Sequence, residues 1–393
     1  MARPAGAVGG LAFITLCVAA VGVLSTAGIR RSSPDEPLGA LENDGRNSVA
    51  GPIHVNHVDA DLEIDQLASN VYAFVSNNTT HEWEDGNTTV IIGDKDVAVV
   101  DAPTTYLSKR HLALIRKLTD KPIRYVINTH FHRDHVMGNH VYQDAFPDVT
   151  IVQQEYTSSI ADRRDPLAIE ELKGQHADDL LRSLKDAAEK GMDANGTPLL
   201  GYNLERAKRS YREVLPVLRE AKATRYVPAN VTFDTSMKIN LGACEVQLIH
   251  LAGHTPGDTV VWIPKANILV AGDLVIAPVP YGGPDQYIDW IASLDKLMTF
   301  KASAIVPGHG PVEFTQEYLA QERDLFRALM DQADTAVNQG RSLEDFKKIL
   351  DLSTFEAQFV HGDPELQWAW DNYFEGKTGA LAVRAYRTAF GNL

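Results

Sequence analysis

Cysteine is nearly absent from this sequence, since only Cys17 and Cys244 occur among 393 residues. Long runs of lysine or arginine are also missing, and the formal net charge is −15 at pH 7. Because binding to nucleic-acid phosphates requires basic patches, this composition argues against a nucleic-acid partner. If the N-terminal segment is removed, at most one thiol is left and no internal disulfide can form, so the hydrophobic core has to hold the fold.

The N-terminal region contains a long apolar stretch. Arg3 precedes an uncharged, largely apolar run over residues 5–29, and Arg30 and Arg31 follow it. This pattern is typical of a secretory signal peptide or of a signal anchor that stays in the membrane. We therefore expect either an exported protein, periplasmic or secreted, or one attached to the membrane by residues 5–29. Residues 1–31 are assigned to this segment, and the Ser/Pro/Asp/Gly-rich residues 32–59 to a flexible linker.

Three histidines and an aspartate follow a short apolar run. Residues 125–127 are typical of a buried strand, and His130, His132, Asp134 and His135 come directly after it. Imidazole and carboxylate groups suit zinc and its neighbours in the first transition row. Because side chains alternate along an extended chain, His130 and His132 are predicted to share one metal ion, while Asp134 and His135, past the bend, face a second. A solvated, histidine-rich loop is the alternative interpretation.

Further candidate ligands follow strands in the second half of the chain. Residues 246–251, 268–270 and 304–306 have the composition of strands, and a glycine-flanked polar residue comes after each of them: His254, Asp273 and His309. Glycine lets the backbone turn sharply and approach a ligand closely. Together with the first cluster, these residues predict a metal centre at one edge of a sheet.

These motifs, taken in order, resemble the metallo-β-lactamase superfamily. The matching segments are His-x-His-x-Asp-His at 130–135, Gly-His-Thr-Pro-Gly at 253–257, Gly-Asp at 272–273 and Gly-His-Gly at 308–310. The resemblance covers roughly residues 60–312, which are assigned to one metallo-β-lactamase-like domain. It implies an α/β fold, namely an αββα sandwich with the metals at one edge of its two sheets.

The resemblance also implies two zinc ions, with iron or manganese as alternative metals. It assigns His130, His132 and His254 to the first zinc, Asp134, His135 and His309 to the second, and Asp273 to a bridge between them. The implied reaction is hydrolysis of a carbonyl ester, lactone or lactam bond in a small molecule by a metal-bridging hydroxide. Asp134 would be the catalytic residue that orients the nucleophile or accepts its proton.

Two departures from the β-lactamases bear on the substrate. Asp273 stands where subclass B1 enzymes carry a cysteine, and Ile276 where many of them carry a lysine. The contact between that lysine and the β-lactam carboxylate is therefore missing. His135 is instead similar to residues of subclass B3, of lactonases and of glyoxalase II-like thioesterases. Trp83, in a polar loop over residues 76–86, is expected either to cover the substrate or to be ordinary packing.

Two other classes of function remain open. One is a mononuclear iron oxidoreductase resembling the persulfide dioxygenases, which needs only the set His130, His132, His254 and Asp273. The other is a non-catalytic sandwich that serves binding or assembly.

Helical composition sets two regions apart from the strands. Residues 155–225 are predicted to form a helical insertion between the two halves of the sandwich, and residues 313–393 a helical C-terminal extension. The extension is expected to join the core or to form a contact in a homo-oligomer. Asp101 follows a strand, and we interpret it either as a turn residue or as a carboxylate that orients the histidine loop. His111 is predicted on a solvated helix face, and His140 at the surface or behind the ligands.

Overall fold

The computed structural model describes residues 53–59, 62–76, 86–281, 286–374 and 380–391 of the chain. The predicted signal segment, residues 1–31, and Trp83 lie outside these ranges. Within them, no helix combines the length and the apolar character needed to cross a membrane.

The strands of the described chain are β1 (Ile53–Asp59), β2 (Leu62–Ala68), β3 (Val71–Ser76), β4 (Thr88–Ile92), β5 (Val97–Val100), β6 (Ile123–Ile127), β7 (Thr150–Gln154), β8 (Val231–Phe233), β9 (Ser236–Asn240), β10 (Glu245–His250), β11 (Thr259–Ile263), β12 (Ile268–Ile276) and β13 (Ala304–His309). The helices are α1 (Thr105–Leu118), α2 (Arg133–Val136), α3 (Asn139–Ala145), α4 (Glu155–Lys173), α5 (Gln175–Lys190), α6 (Tyr202–Ala221), α7 (Tyr287–Met298), α8 (Glu317–Asn338), α9 (Leu343–Ile349), α10 (Ser353–Val360), α11 (Pro364–Ala369) and α12 (Ala380–Phe390). A π-helical turn, Trp370–Phe374, continues α11.

The strands form two sheets. The first has eight strands in the order β1 to β8, antiparallel from β1 to β5 and parallel from β5 to β8. The second has five strands in the order β13-β12-β11-β10-β9, antiparallel except for the parallel pair β12 and β13. Since β5, β6, β12 and β13 all end at the same edge, the loops that follow them can meet there.

The main core lies between the sheets, and helices cover both outer faces. Val100, Ile127 and Val152 of the first sheet belong to one buried cluster with Val270 and Val306 of the second. On the outer face of the first sheet, α1 and α3 contribute Ile115 and Tyr142 to another cluster. On the outer face of the second sheet, α7 and α8 contribute Leu294, Leu297, Leu325 and Leu329. The layers are α, β, β and α, which confirms the predicted fold class.

The helical insertion contains α4, α5 and α6, and it has a small core of its own around Leu184, Val214 and Leu218. The insertion was predicted to lie between the two halves of the sandwich. This position is wrong, because one more strand of the first sheet, β8, follows the insertion. β8 pairs in parallel with β7, so the insertion is the crossover between two neighbouring strands of the first sheet. Parallel strands need a long connection of this kind, which explains why helices separate them.

The C-terminal extension is part of the core. Leu319, Leu325, Leu329 and Ala333 on α8 are completely buried, as is Trp370. This observation agrees with the interpretation of the extension as core packing. The extension also contacts the insertion, since the Arg206 guanidinium lies 4.1 Å from the Trp368 ring centre and Arg209 Nη2 lies 2.8 Å from Glu365 Oε1.

The predicted linker, residues 32–59, is too long at its C-terminal end. Residues 53–59 form β1, which is antiparallel to β2. The segment Ile-His-Val-Asn-His-Val-Asp begins with the alternation of apolar and polar residues that is typical of a strand. The polar residues of this segment give it the composition of a linker. It forms a strand because it pairs with β2.

Phe326 provides a test of the place of α8 in the core. Its ring is fully buried and lies 4.6 Å from the Trp290 ring, centre to centre. Phe326→Ala is expected to lower the free energy of unfolding by about 3–5 kcal/mol, because the cavity cannot close completely. Urea unfolding of the full chain measures this change. The control is Leu167→Ala, at a side chain that is 69% exposed, and should cost less than about 0.5 kcal/mol. Equal small effects of the two substitutions would contradict a core role for α8.

Candidate metal centre

A buried amide network shapes the loop that follows β6. Asn128 Nδ2 donates to the His135 carbonyl oxygen at 2.8 Å and to Asn139 Oδ1 at 3.0 Å. Gln153 Nε2 on β7 and Asn139 Nδ2 both donate to Asn128 Oδ1 at 2.9 Å. Because amide groups buried in this way are costly unless they are paired, the loop has one low-energy path. That path places the four candidate ligands of this loop, His130, His132, Asp134 and His135, at the edge of the sandwich.

The structure brings the seven predicted ligands together in two groups. The first group is His130, His132, His254 and Asp273, and the second is Asp134, His135 and His309. Within each group, one candidate ligand atom per residue lies within 4.8 Å of the others. The six residues predicted to bind one metal each are divided as predicted, and Asp273, the predicted bridge, falls in the first group. Their role as ligands stays a prediction.

In the first group, nitrogen atoms from both sheets face one another. His254 Nε2 lies 3.0 Å from His132 Nδ1 and 3.3 Å from Asp273 Oδ2. His130 Nε2 is 3.5 Å from the same carboxylate oxygen. Three imidazole nitrogens and one oxygen therefore surround a small space, which is the donor set expected for zinc.

In the second group, His309 Nε2 lies 3.0 Å from Asp134 Oδ2 and 3.3 Å from His135 Nε2. His135 Nε2 is 3.3 Å from Asp273 Oδ1. Asp273 thus turns Oδ2 toward the first group and Oδ1 toward the second. A single carboxylate placed in this way has the geometry required to bridge two cations.

Asp101 lies behind the histidine loop and orients it. Its Oδ1 accepts a hydrogen bond from Thr129 N at 2.7 Å, and its Oδ2 accepts one from Thr129 Oγ1 at 2.8 Å. The same Oδ2 lies 2.8 Å from His135 Nδ1, and Thr129 Oγ1 lies 3.1 Å from His130 Nδ1. Of the two interpretations of Asp101, the contacts favour the orienting carboxylate. Its backbone has a φ of +64°, which is uncommon outside glycine and is favoured here by these bonds.

Burial and charge set the protonation states in the site. Burial lowers the pKa of His132 to about 4 and that of His254 to about 3, so both imidazoles are neutral near pH 7 and keep a lone pair. Burial alone would lower the pKa of His135, but the carboxylates of Asp273, Asp134 and Asp101 raise it well above its usual value. Burial would raise the pKa of Asp273, yet the surrounding imidazoles hold it well below the ordinary range.

The residues present fit a metal centre. His130 Nε2 and Asp273 Oδ1 are buried and have no hydrogen-bond partner among the described residues. Buried polar atoms without partners are rare in proteins, and these two point into the space shared by the other ligands. Nitrogen and carboxylate donors in these numbers suit zinc, and iron or manganese less specifically.

Glycine at 308 permits the approach of the two sheets at the site. A Cβ atom at this position would lie 1.8 Å from Asp273 Oδ1 and 2.8 Å from the Asp273 backbone nitrogen. The loop that carries His309 can therefore reach the bridging carboxylate only without a side chain at residue 308.

Two further histidines are buried outside the two ligand groups, and the prediction for His111 is wrong. His111 is buried, with Nδ1 3.1 Å from Thr88 Oγ1, so its predicted place on a solvated face is wrong. The buried face of α1 contains Thr105 and Ser108 beside Leu114, and a face so rich in polar residues gives no clear apolar stripe. His140 is also buried, with Nε2 2.8 Å from Thr105 Oγ1, which excludes the surface alternative.

Sequence reasoning also missed two residues that hold the ligand loops. Asn87 Nδ2 donates to the carbonyl oxygens of Pro307 and Gly310 at 3.0 and 2.8 Å, which fixes the loop of His309. Asp258 accepts hydrogen bonds from the backbone nitrogen and the hydroxyl of Thr255, which fixes the loop of His254. The Thr-Pro-Gly-Asp turn gives a signal for Asp258, whereas we find none for Asn87.

Comparison with known proteins agrees with this geometry. A family model described as the metallo-beta-lactamase superfamily matches residues 81–309, more than half of the chain. A linear primary-alkylsulfatase of Pseudomonas sp. (strain ATCC 19151) is 28% identical over 271 residues, which cover 64% of this chain and 47% of that protein. A beta-lactamase-like protein 2 homolog of Caenorhabditis elegans is 26% identical over 105 residues, 24% of this chain and 35% of that protein. The chain thus spans about half or less of the length of these curated relatives.

Among solved structures, the stereoselective inverting sec-alkylsulfatase Pisa1 from Pseudomonas sp. is similar in fold. Its TM-score is 0.56 at 17% identity, and the match covers 82% of this chain and 49% of that one. At this identity, the similarity describes the fold alone.

Asp101→Asn tests the orienting carboxylate. The substitution keeps the shape of the side chain but removes one acceptor and the negative charge beside His135. We expect the affinity for zinc to fall roughly 10- to 100-fold, as is typical when a partner behind a ligand is lost. Competition with a chromogenic chelator measures this affinity. Asp148→Asn, at an exposed carboxylate in the loop between α3 and β7, is the control and should leave this affinity unchanged. Unchanged affinity in Asp101→Asn would contradict the orienting role.

Gly308→Ala tests the close approach at Asp273. Because the added methyl group would overlap the carboxylate, the variant is expected to bind less than half as much zinc per chain as the unmodified protein. Gly174→Ala is the matched control, since a Cβ there would have its nearest contact at 3.5 Å. Elemental analysis of both purified variants provides the measurement, and full zinc content in Gly308→Ala would show that the loop relaxes without loss of the site.

Proposed function

The chain belongs to the metallo-beta-lactamase superfamily, and on that premise we propose that it is a dinuclear zinc hydrolase. Its proposed substrate is a small molecule with an ester, lactone or lactam bond. The proposed ligands are the two groups described above, with Asp273 as the bridge. Iron or manganese are alternative metals.

The position of Asp273 carries this proposal. Its two oxygens lie 3.3 Å from His254 Nε2 on one side and 3.3 Å from His135 Nε2 on the other. A single metal would need only the first group, and the second group would then have no role. The presence of Asp134, His135 and His309 therefore favours two metals over the mononuclear iron alternative.

Zinc bound at these residues would supply a Lewis acid and would lower the pKa of water toward neutrality. The carboxylate of Asp134 is ionised, because nearby His135 and His309 overcome the effect of burial and hold its pKa well below the ordinary value. An ionised carboxylate accepts hydrogen bonds, so Asp134 is suited to orient a water molecule and to take its proton. Among the described residues no thiol competes for this role, since their single cysteine, Cys244, is buried between the sheets.

The substrate is constrained by the residues around Asp273. Residue 276 is an isoleucine, uncharged and completely buried, so this position offers no cation to the carboxylate of a β-lactam. This favours an ester or a lactone over a lactam. A sulfate ester is a second candidate, supported by the 28% identity to the Pseudomonas protein named linear primary-alkylsulfatase.

Export of the protein, or its attachment to the membrane by residues 5–29, is part of the proposal, as is assembly into a homo-oligomer. An exported hydrolase would meet small lactones, lactams and esters outside the cytoplasm. The apolar run at the N-terminus supports this location.

Two substitutions in the site test the proposed function. Asp134→Asn is expected to lower kcat/KM roughly 10²- to 10⁴-fold, because the amide cannot accept the proton. His132→Ala should abolish hydrolysis while the circular dichroism spectrum stays that of the folded protein. Initial rates on a chromogenic cephalosporin, a simple lactone and an alkyl sulfate, with zinc content measured in parallel, provide the readout. Asp120→Asn is the control, at an exposed carboxylate after α1.

The metal content separates the classes of function. Two zinc ions per chain with turnover of any of the three substrates agree with the proposal. One iron and no turnover would overturn it in favour of the oxidoreductase, and full activity of His132→Ala would exclude the assigned ligands.

A further inference from the structure

The first turns of the helical insertion lie directly on the loops of the metal centre. Thr157 Oγ1 on α4 donates to the carbonyl oxygen of Gly257, three residues after His254, at 2.7 Å. Two turns further along α4, the Arg164 guanidinium lies 5.1 Å from the centre of the Phe131 ring. Phe131 separates His130 from His132 in the sequence, and its ring is 4.9 Å from that of His132. A cation on α4 therefore lies at the margin of the first ligand group.

Arg164 is exposed, and its guanidinium has no carboxylate partner among the described residues. No aspartate or glutamate among the described residues forms an ion pair with it. Of its acidic neighbours on α4, Asp165 is buried, and Asp162 accepts a hydrogen bond from Tyr226 Oη at 2.5 Å. Arg164 remains available to an anion from solution.

The Phe131 ring holds the guanidinium by a cation–π contact, which limits its freedom before a ligand binds. A planar guanidinium can form two parallel hydrogen bonds with a carboxylate or a sulfate group.

From this arrangement we infer that Arg164 binds the anionic group of the substrate. The substrate is then an anionic ester, with its charged group on Arg164 and its scissile bond at Asp134 and Asp273. This inference rests on the proposed function and deepens it.

The test is equilibrium binding of compounds that cannot be hydrolysed, measured by titration calorimetry on the zinc-loaded full chain in 0.15 M salt. The probes are hexane-1-sulfonate, hexanoate and hexanol, which share one alkyl chain and differ in the head group. Each is titrated into the unmodified protein, Arg164→Ala, Arg164→Lys and Arg163→Ala. Arg163 is the matched control, since it is the adjacent arginine on α4 and is also exposed.

We expect at least one anion to bind the unmodified protein more tightly than hexanol. Arg164→Ala should weaken that binding about 10- to 100-fold, Arg164→Lys by less, and Arg163→Ala by less than twofold. Binding of hexanol should be the same in all four proteins. Tighter binding of the sulfonate than of hexanoate indicates a sulfate ester as substrate, and the reverse order indicates a carboxylate-bearing ester.

Three outcomes overturn the inference: no anion that binds better than hexanol, no loss in Arg164→Ala, or an equal loss in Arg163→Ala. None of them depends on turnover. Failure of the proposed function would appear separately, as absent zinc or absent hydrolysis in the unmodified protein.

Discussion

The site depends on one constraint: the buried negative charge of Asp273 has to be balanced by the groups around it. The residue is 2% exposed, and an ionised carboxylate at such a position is costly unless positive groups or hydrogen bonds surround it. Imidazoles from both sheets lie on its two sides, and the loops that carry them are held by Asp101, Asn87 and Asp258. These three residues lie outside the ligand set, but each fixes one loop by hydrogen bonds to backbone atoms. The arrangement of the sheet edge follows from the need to keep the imidazoles in place around one carboxylate.

The sequence was sufficient to predict the αββα fold and to select seven residues that the structure brings together. Both successes have the same origin: an apolar strand followed by a polar, glycine-containing turn is a local pattern, and the turns of one sheet edge meet in space. Their role as ligands stays a prediction until a metal is measured. The sequence did not predict which polar residues are buried. His111 lies on a buried helix face made partly of threonine and serine, and hydrophobic periodicity cannot detect such a face.

Local sequence patterns also could not predict which strands and helices belong to the sandwich. Whether β8 belongs to the first or the second sheet depends on its pairing with β7, about 80 residues earlier in the chain. Likewise, α8 has the periodicity of any amphipathic helix, and only the tertiary structure shows that Leu325 and Leu329 cover the outer face of the second sheet. The insertion illustrates the same point for function. Its helices have an ordinary composition, yet α4 places a cation beside the first ligand group.

Each ligand group takes residues from both sheets. His130 and His132 follow a strand of the first sheet, whereas His254 and Asp273 belong to the second, and His309 likewise joins residues 134 and 135 from across the sandwich. A metal ion bound here would therefore have no complete site in the unfolded chain and would act as a reversible cross-link between the layers. At a free concentration 100 times its dissociation constant, such an ion adds about 2.7 kcal/mol to the stability of the native state. In a fold whose described part contains a single cysteine, metal supply would set resistance to unfolding as well as activity.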